Sequence, residues 1–110
     1  MPDLSIIIPS YRRVDLLAAC LRSIIDHAER ANLQIIVVDD ASPGHVVFNT
    51  ARSFPGVEVI RLTERAGFCA AINVGLSYAE ASIVQVLNDD AEVTAGWFQA
   101  PLQRFRDNPQ

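Results

Sequence analysis

The chain contains no lysine; all nine of its basic residues are arginine. That absence excludes lysine-dependent P-loop phosphate binding, Schiff-base chemistry and any phosphate switch that needs a lysine. No apolar stretch approaches the roughly 18 residues of a membrane span. The N-terminus, Met1-Pro-Asp-Leu4, lacks the basic segment of a secretory signal. No G-x-G-x-x-G follows the first apolar run, so the dinucleotide-binding fingerprint is missing. Cysteine is scarce, and Cys20 and Cys69 both stand in apolar surroundings. Both are expected to be reduced core thiols of a cytoplasmic protein. Positive charge is outnumbered, and the net charge of −4 argues against non-specific nucleic-acid binding.

What is present is an ordered-domain composition: 110 residues, 50% hydrophobic and 20% charged. That length fits one domain with a modest core. Leu4–Ile8 is an apolar run closed by Pro9 and reads as a buried strand. Val14, Leu17, Ala18, Leu21, Ile24, Ile25 and Ala28 then recur at helical spacing, which predicts a helix over 14–30. Leu33–Val38 is a second strand, and Ala41-Ser-Pro-Gly44 a turn. A short helix is expected over His45–Arg52, a strand over Val57–Leu62, a helix over Phe68–Ala81 weakened by Gly75, and a strand over Ser82–Leu87. Thr94–Asp107 carries Trp97, Phe98, Leu102 and Phe105 on one face and predicts a last helix with a kink or late start at Pro101. The alternation implies an α/β three-layer sandwich: a mainly parallel sheet, strand order 3-2-1-4, with right-handed crossovers and helices on both faces.

Two of the apolar runs end in paired aspartates, Gln34-Ile-Ile-Val-Val-Asp39-Asp40 and Ile83-Val-Gln-Val-Leu-Asn88-Asp89-Asp90. Ligands of open α/β sheets sit just beyond such carboxyl ends. Four carboxylates gathered there repel one another unless a cation or hydrogen-bond donors join them. A divalent metal with a phosphorylated ligand would do so. Asp39 and Asp40 also suit capping or a turn, or could accept hydrogen bonds from a base imide or a ribose hydroxyl. Asn88-Asp89-Asp90 suits a hard cation, which takes one or two protein carboxylates plus substrate phosphates, or else a solvated acidic turn. In Pro9-Ser10-Tyr11-Arg12-Arg13, Tyr11 can stack on a base while Arg12 or Arg13 faces phosphate. Arg65-Ala-Gly67 opens the third predicted helix, where Gly67 allows close backbone approach and Asn73 can hydrogen-bond a ligand or a loop. His27 and His45 have no metal-like partner at helical spacing and are assigned to solvent. Trp97 reads as a core anchor, with a sugar platform as the alternative.

These segments together resemble the family-2 glycosyltransferases of the GT-A fold, over Leu4 to Asn108. The resemblance rests on Leu4-Ser-Ile-Ile-Ile-Pro-Ser-Tyr-Arg-Arg13, Ile35-Ile-Val-Val-Asp-Asp-Ala-Ser42, Gly67-Phe-Cys-Ala-Ala-Ile-Asn-Val-Gly75 and Val86-Leu-Asn-Asp-Asp90. Each is loose alone; their order and spacing are specific. The resemblance implies the Rossmann-like, nucleotide-sugar-binding half of a GT-A fold, spanning residues 1–110 as a single domain. It also implies inverting transfer of a sugar from a UDP- or dTDP-linked donor, with Mg²⁺ or Mn²⁺ as cofactor and a saccharide or lipid-linked glycan as acceptor. Pro9, Tyr11 and Asp40 would frame the base, with Arg12 and Asp39 in the same nucleotide site. Arg65 and Asn73 would border the donor, Asp89 would lie near the ribose or sugar, and Asp90 would bind the metal. The acidic motif is DXD-like, with Asn88 where the family often begins with Asp.

Catalytic domains of this family usually continue well beyond this length, into an acceptor side that carries the general base. The catalytic base is therefore expected outside these residues, and the isolated chain is expected to be inactive and to form a homodimer through an open fourth-strand edge. The expected location is cytoplasmic, free or peripheral to the inner face of the membrane. The competing interpretation is a non-catalytic nucleotide-binding or self-associating module derived from the same fold. A phospho-receiver, suggested by Val37-Val-Asp-Asp40, is set aside because the acidic pair follows the second strand and lysine is absent.

Overall fold

The computed structural model describes residues 1–28 and 31–97. Four strands form one all-parallel sheet: β1 (Leu4–Ser10), β2 (Leu33–Asp39), β3 (Val57–Arg61) and β4 (Val84–Val86), in the order β3-β2-β1-β4. Three helices connect them: α1 (Val14–Asp26), α2 (Val46–Arg52), entered through a 3₁₀ turn at Pro43–His45, and α3 (Phe68–Tyr78). The expected α/β class and strand order are both present. Among the described residues no helix is long and apolar enough to cross a membrane.

The central strands are buried on both faces, so they read as continuous apolar runs. Their pleat divides the core in two. Ile6, Ile8, Ile35 and Val37 pack with Leu17, Cys20, Leu21 and Ile24 of α1 and with Val47 and Ala51 of α2. Ile7, Ile36 and Val38 face the other way and meet Ala71 of α3. Gly75 explains how α3 lies so close to the sheet: a Cβ there would stand 2.6 Å from Ile7 Cγ2 and 3.2 Å from Val38 Cγ2.

Several boundaries differ from the sequence expectation. α1 ends at Asp26 rather than at 30, and residues 29–30 lie outside the described ones. α3 ends at Tyr78, because Ala79 is extended and the next two amides bond across the sheet edge: Glu80 N–H to Gln34 Oε1 at 2.8 Å and Ala81 N–H to Ser5 Oγ at 3.0 Å. β4 is short, although Ser5 N–H to Ile83 O and Leu87 N–H to Ile7 O, each 3.0 Å, extend its ladder at both ends. The expected last helix lies outside the described residues beyond Trp97; Thr94 to Trp97 form a turn, and Trp97 packs against the α1-side core. Cys20 is buried as expected, but Cys69 is exposed. The small residues Ala71 and Gly75 are the buried positions of α3, and Cys69 falls on another face.

Candidate functional site

The register sets Ser10 beside Asp39 and Asp39 beside Arg61, so the polar ends of β1, β2 and β3 gather at one edge of the sheet. A cavity of about 440 Å³ opens there. Pro9, Ser10, Tyr11, Arg12 and Arg13 line it from β1 and the loop beyond. Asp40 enters from the end of β2, Arg65 and Phe68 from the start of α3, and Asp89 from the segment after β4.

The loops around this cavity are tied together by their backbones. Arg12 (φ 68°) and Ala41 (φ 62°), each two residues past the end of a strand, both take left-handed conformations. Non-glycine residues there carry on the order of 1 kcal/mol of strain each, and such strain gathers at ligand sites. Ser42 holds both turns in place. Its Oγ accepts the Arg12 N–H at 3.0 Å, and its own N–H donates to Asp39 Oδ1 at 2.9 Å. Asp39 is fully buried beneath this loop, with Oδ2 3.7 Å from Arg61 Nε.

Asp40 points the other way, as pleat alternation requires. Its Oδ1 accepts the Ala66 N–H at 2.7 Å; its Oδ2 accepts the Gly67 N–H at 3.1 Å and Arg65 Nε–H at 3.2 Å. Gly67 (φ 89°) makes the turn into α3 that turns these amides toward the carboxylate. The Arg65 guanidinium lies 3.6 Å from the Tyr11 ring centroid, and that of Arg12 5.1 Å from it. Hydrogen bonding with Tyr11, and then with Asp40, pushes the Arg65 guanidinium above its ordinary value, so it stays charged.

Asp89 is also buried. Its Oδ2 accepts the Ser10 hydroxyl at 2.8 Å, and its Oδ1 is ion-paired with Arg13 Nη2. Asp90 is half-exposed, with Oδ2 3.7 Å from Arg13 Nη1. Behind this pair the Cys20 thiol is pushed up to about 11, by burial first and then by the charges of Asp89, Asp90 and Glu92. Cys20 therefore stays protonated and is no nucleophile.

Of the residues named from sequence, Pro9, Tyr11, Arg12, Asp40, Arg65 and Asp89 line the cavity together. Asp39 lies under the loop, Asn73 is exposed farther along α3, and Asp90 flanks the cavity beside Arg13. The acidic ends are joined from within, by Arg61 on Asp39, Arg65 on Asp40 and Arg13 on Asp89 and Asp90. Among the described residues no three His, Cys, Asp or Glu side chains form a metal cage. Ser10, Ser42 and Phe68 were not among the residues expected at the site. The first two carried a signal, since each is a hydroxyl within three positions of a strand-end carboxylate or arginine. Phe68, directly after the Gly67 turn, carried none.

This arrangement is a Rossmann-like α/β unit of the kind that forms the N-terminal half of a GT-A fold. The chain belongs to glycosyl transferase family 2, which its sequence matches over residues 5–110. It is 35% identical over 106 residues to an uncharacterized glycosyltransferase of Haemophilus influenzae, covering 96% of this chain and 35% of that protein. It is 32% identical over 110 residues to the minor teichoic acid biosynthesis protein GgaB of Bacillus subtilis, covering 96% of this chain and 12% of GgaB. Chondroitin synthase of Escherichia coli is 28% identical over 104 residues, covering 91% of this chain and 15% of the synthase. The chain thus spans about a third or less of the length of these relatives.

Proposed function

We propose that this chain is the donor-binding part of an inverting glycosyltransferase. It would take a sugar from a uridine or thymidine diphosphate donor and transfer it to a hydroxyl of a saccharide or lipid-linked glycan. One observation carries this reading: Tyr11, Asp40, Arg65, Arg12 and Arg13 converge on a single cavity at the carboxyl edge of the sheet. A nucleoside diphosphate needs an aromatic or planar face for its base, an acceptor for imide or ribose donors, and cations for its phosphates. Tyr11 with Arg65 supplies the face. Asp40 Oδ1, with one protein donor, has room for a ligand donor. Arg12 and Arg13 supply charge suited to phosphate oxygens. Asp39 contributes by fixing the Ser42 loop. The relatives named for teichoic acid biosynthesis and chondroitin synthesis support a glycan acceptor.

In inverting transfer the acceptor oxygen bonds to the anomeric carbon as the bond from that carbon to the diphosphate oxygen breaks. The electron pair leaves with the diphosphate, and the acceptor proton goes to a base. Asp40 and Asp89, the carboxylates lining the cavity, already accept hydrogen bonds from arginine, backbone or hydroxyl donors. Their part is to hold and orient the donor. Asp90, half-exposed and with only a long ion-pair contact, fits a single carboxylate ligand for Mg²⁺ or Mn²⁺. Such a metal, when bound, stabilises the charge of the departing diphosphate.

Titration calorimetry with UDP, dTDP, ADP and GDP, with and without Mn²⁺, tests this. The pyrimidine diphosphates should bind in preference to the purine ones. Tyr11→Ala should weaken UDP by about tenfold, since base stacking contributes about 1–3 kcal/mol. Equal binding of all four nucleotides, or no loss in Tyr11→Ala, would sink the assignment.

A further inference from the structure

We infer that Arg13 is the resident counter-ion of Asp89 and Asp90, and that it makes metal loading depend on the diphosphate. Asp90 would hold the metal only once the Arg13 guanidinium has moved aside, and the diphosphate would be the acceptor to which Arg13 moves. The second half of this rests on the donor reading above; the first half rests on geometry alone.

Asp89 is 1% exposed, and a buried carboxylate requires a partner. Ser10 gives it one hydroxyl donor and Arg13 gives it a charge. Arg13 reaches it from the residue just before α1, with its own side chain 53% exposed. The same guanidinium extends its other nitrogen toward Asp90 at 3.7 Å. Two adjacent carboxylates and one guanidinium leave a single negative charge, where a bare pair would offer two. Arginine has no acceptor atom and cannot enter a coordination sphere. A cation held by Asp90 would stand against the Arg13 nitrogen that lies 3.7 Å from Oδ2, so the guanidinium must withdraw or the two positive charges repel.

The cost of that displacement depends on where Arg13 can go. Without a ligand it loses its acceptors and leaves its charge unpaired. Arg13 also lines the cavity, and its planar fork suits phosphate oxygens bidentately. A diphosphate in the cavity gives it a new acceptor at little movement. Metal and diphosphate should then bind cooperatively, each raising the affinity of the other by the same factor. Arg12, whose guanidinium lies by Tyr11, has no contact with the acidic pair and should not share this role.

The test measures Mn²⁺ binding through its electron paramagnetic resonance signal, with no nucleotide present, in wild type, Arg13→Gln and Arg13→Lys. Calorimetry with UDP, with and without Mn²⁺, follows on the same proteins. Arg13→Gln should bind Mn²⁺ alone about tenfold more tightly than wild type, the effect of removing one nearby charge at the protein surface. It should also bind UDP more weakly without metal, and the mutual enhancement of UDP and Mn²⁺ should largely disappear. Arg13→Lys keeps the charge but loses the fork, so it should stay near wild type in Mn²⁺ affinity while losing UDP affinity. Circular dichroism establishes that each variant is folded. If Arg13→Gln does not fold, wild type and Arg13→Lys carry the test through the coupling of UDP to Mn²⁺, which should be strong in the first and weakened in the second. Equal nucleotide-free Mn²⁺ affinity in wild type and Arg13→Gln, or equal coupling in wild type and Arg13→Lys, overturns the proposal. Failure of UDP to bind any of the three proteins removes the donor reading and the diphosphate half with it. The nucleotide-free Mn²⁺ comparison still decides the counter-ion half.

Discussion

Asp39 and Asp40 end the same strand and face different partners. Asp39 turns under the loop, receives the Ser42 amide and leans on Arg61. Asp40 turns to the cavity and gathers Arg65 and two amides at the start of α3. The two cysteines differ as sharply. Cys69 is exposed, while Cys20 is buried behind the acidic segment, and burial with the nearby carboxylates pushes its thiol up from 9.0 to about 11. In the native protein a disulfide reagent should therefore modify Cys69 quickly and Cys20 only at the rate of unfolding. Two thiols reacting at one fast rate would contradict this. A pH effect follows from the same burial. The folded thiol holds its proton more tightly than the unfolded one, so its stabilising contribution is complete below about pH 9 and is lost as pH rises toward 11. The full loss is about 2–3 kcal/mol. Denaturant titrations across that range should show a slope in wild type that Cys20→Ala reduces; parallel slopes would argue that Cys20 does not titrate this way.

At the scale of elements, α3 shows how a poor helix residue can be the right packing residue. Glycine in a helix interior costs about 1 kcal/mol relative to alanine. At position 75 an alanine Cβ would meet Ile7 Cγ2 at 2.6 Å, where overpacking typically costs about 1–3 kcal/mol. Gly75→Ala should therefore destabilise the protein on balance, and Ile7→Ala in the same chain should cost less than it does alone. A denaturation midpoint that rises in Gly75→Ala would show that α3 can lift off the sheet freely. The same helix shows what sequence could and could not convey. The strands and their order were legible because β1 and β2 are buried on both faces and alternate with helical patterns. The end of α3 was not. Ala79, Glu80 and Ala81 favour helix locally, but Gln34 and Ser5, distant in sequence, take the Glu80 and Ala81 amides. The candidate site was legible at the strand ends, where Pro9, Tyr11, Asp40 and Asp89 were expected. The pairing of Arg13 with Asp89 spans 76 positions, and only the parallel register brings its two loops together. Nothing local distinguished Arg13 from Arg12.

At the scale of the whole molecule, the sheet has a polar cluster at each end. The carboxyl end holds the cavity. At the amino end Gln34, itself buried, accepts the Ser5 hydroxyl at 2.6 Å and the Glu80 amide at 2.8 Å through Oε1. Its Nε2 donates to Glu58 at 3.0 Å, to the Tyr78 carbonyl at 3.0 Å and to Glu80 at 3.2 Å. This single amide joins β1, β2, β3 and the exit of α3. Removing it leaves the buried Ser5 hydroxyl without its acceptor, at about 1–3 kcal/mol. Gln34→Ala should thus lower stability by roughly that amount and leave UDP affinity unchanged, because β1 and β2 run their full lengths between it and the cavity. Tyr11→Ala should do the reverse, weakening UDP with little loss of stability. Saturating UDP should then add the same stabilising increment to wild type and to Gln34→Ala, since that increment depends only on ligand concentration and affinity. Thermal denaturation of the two proteins with and without UDP makes the comparison. A UDP-induced shift that collapses in Gln34→Ala would mean the two ends are coupled through the sheet, and the division between a structural end and a binding end would fail.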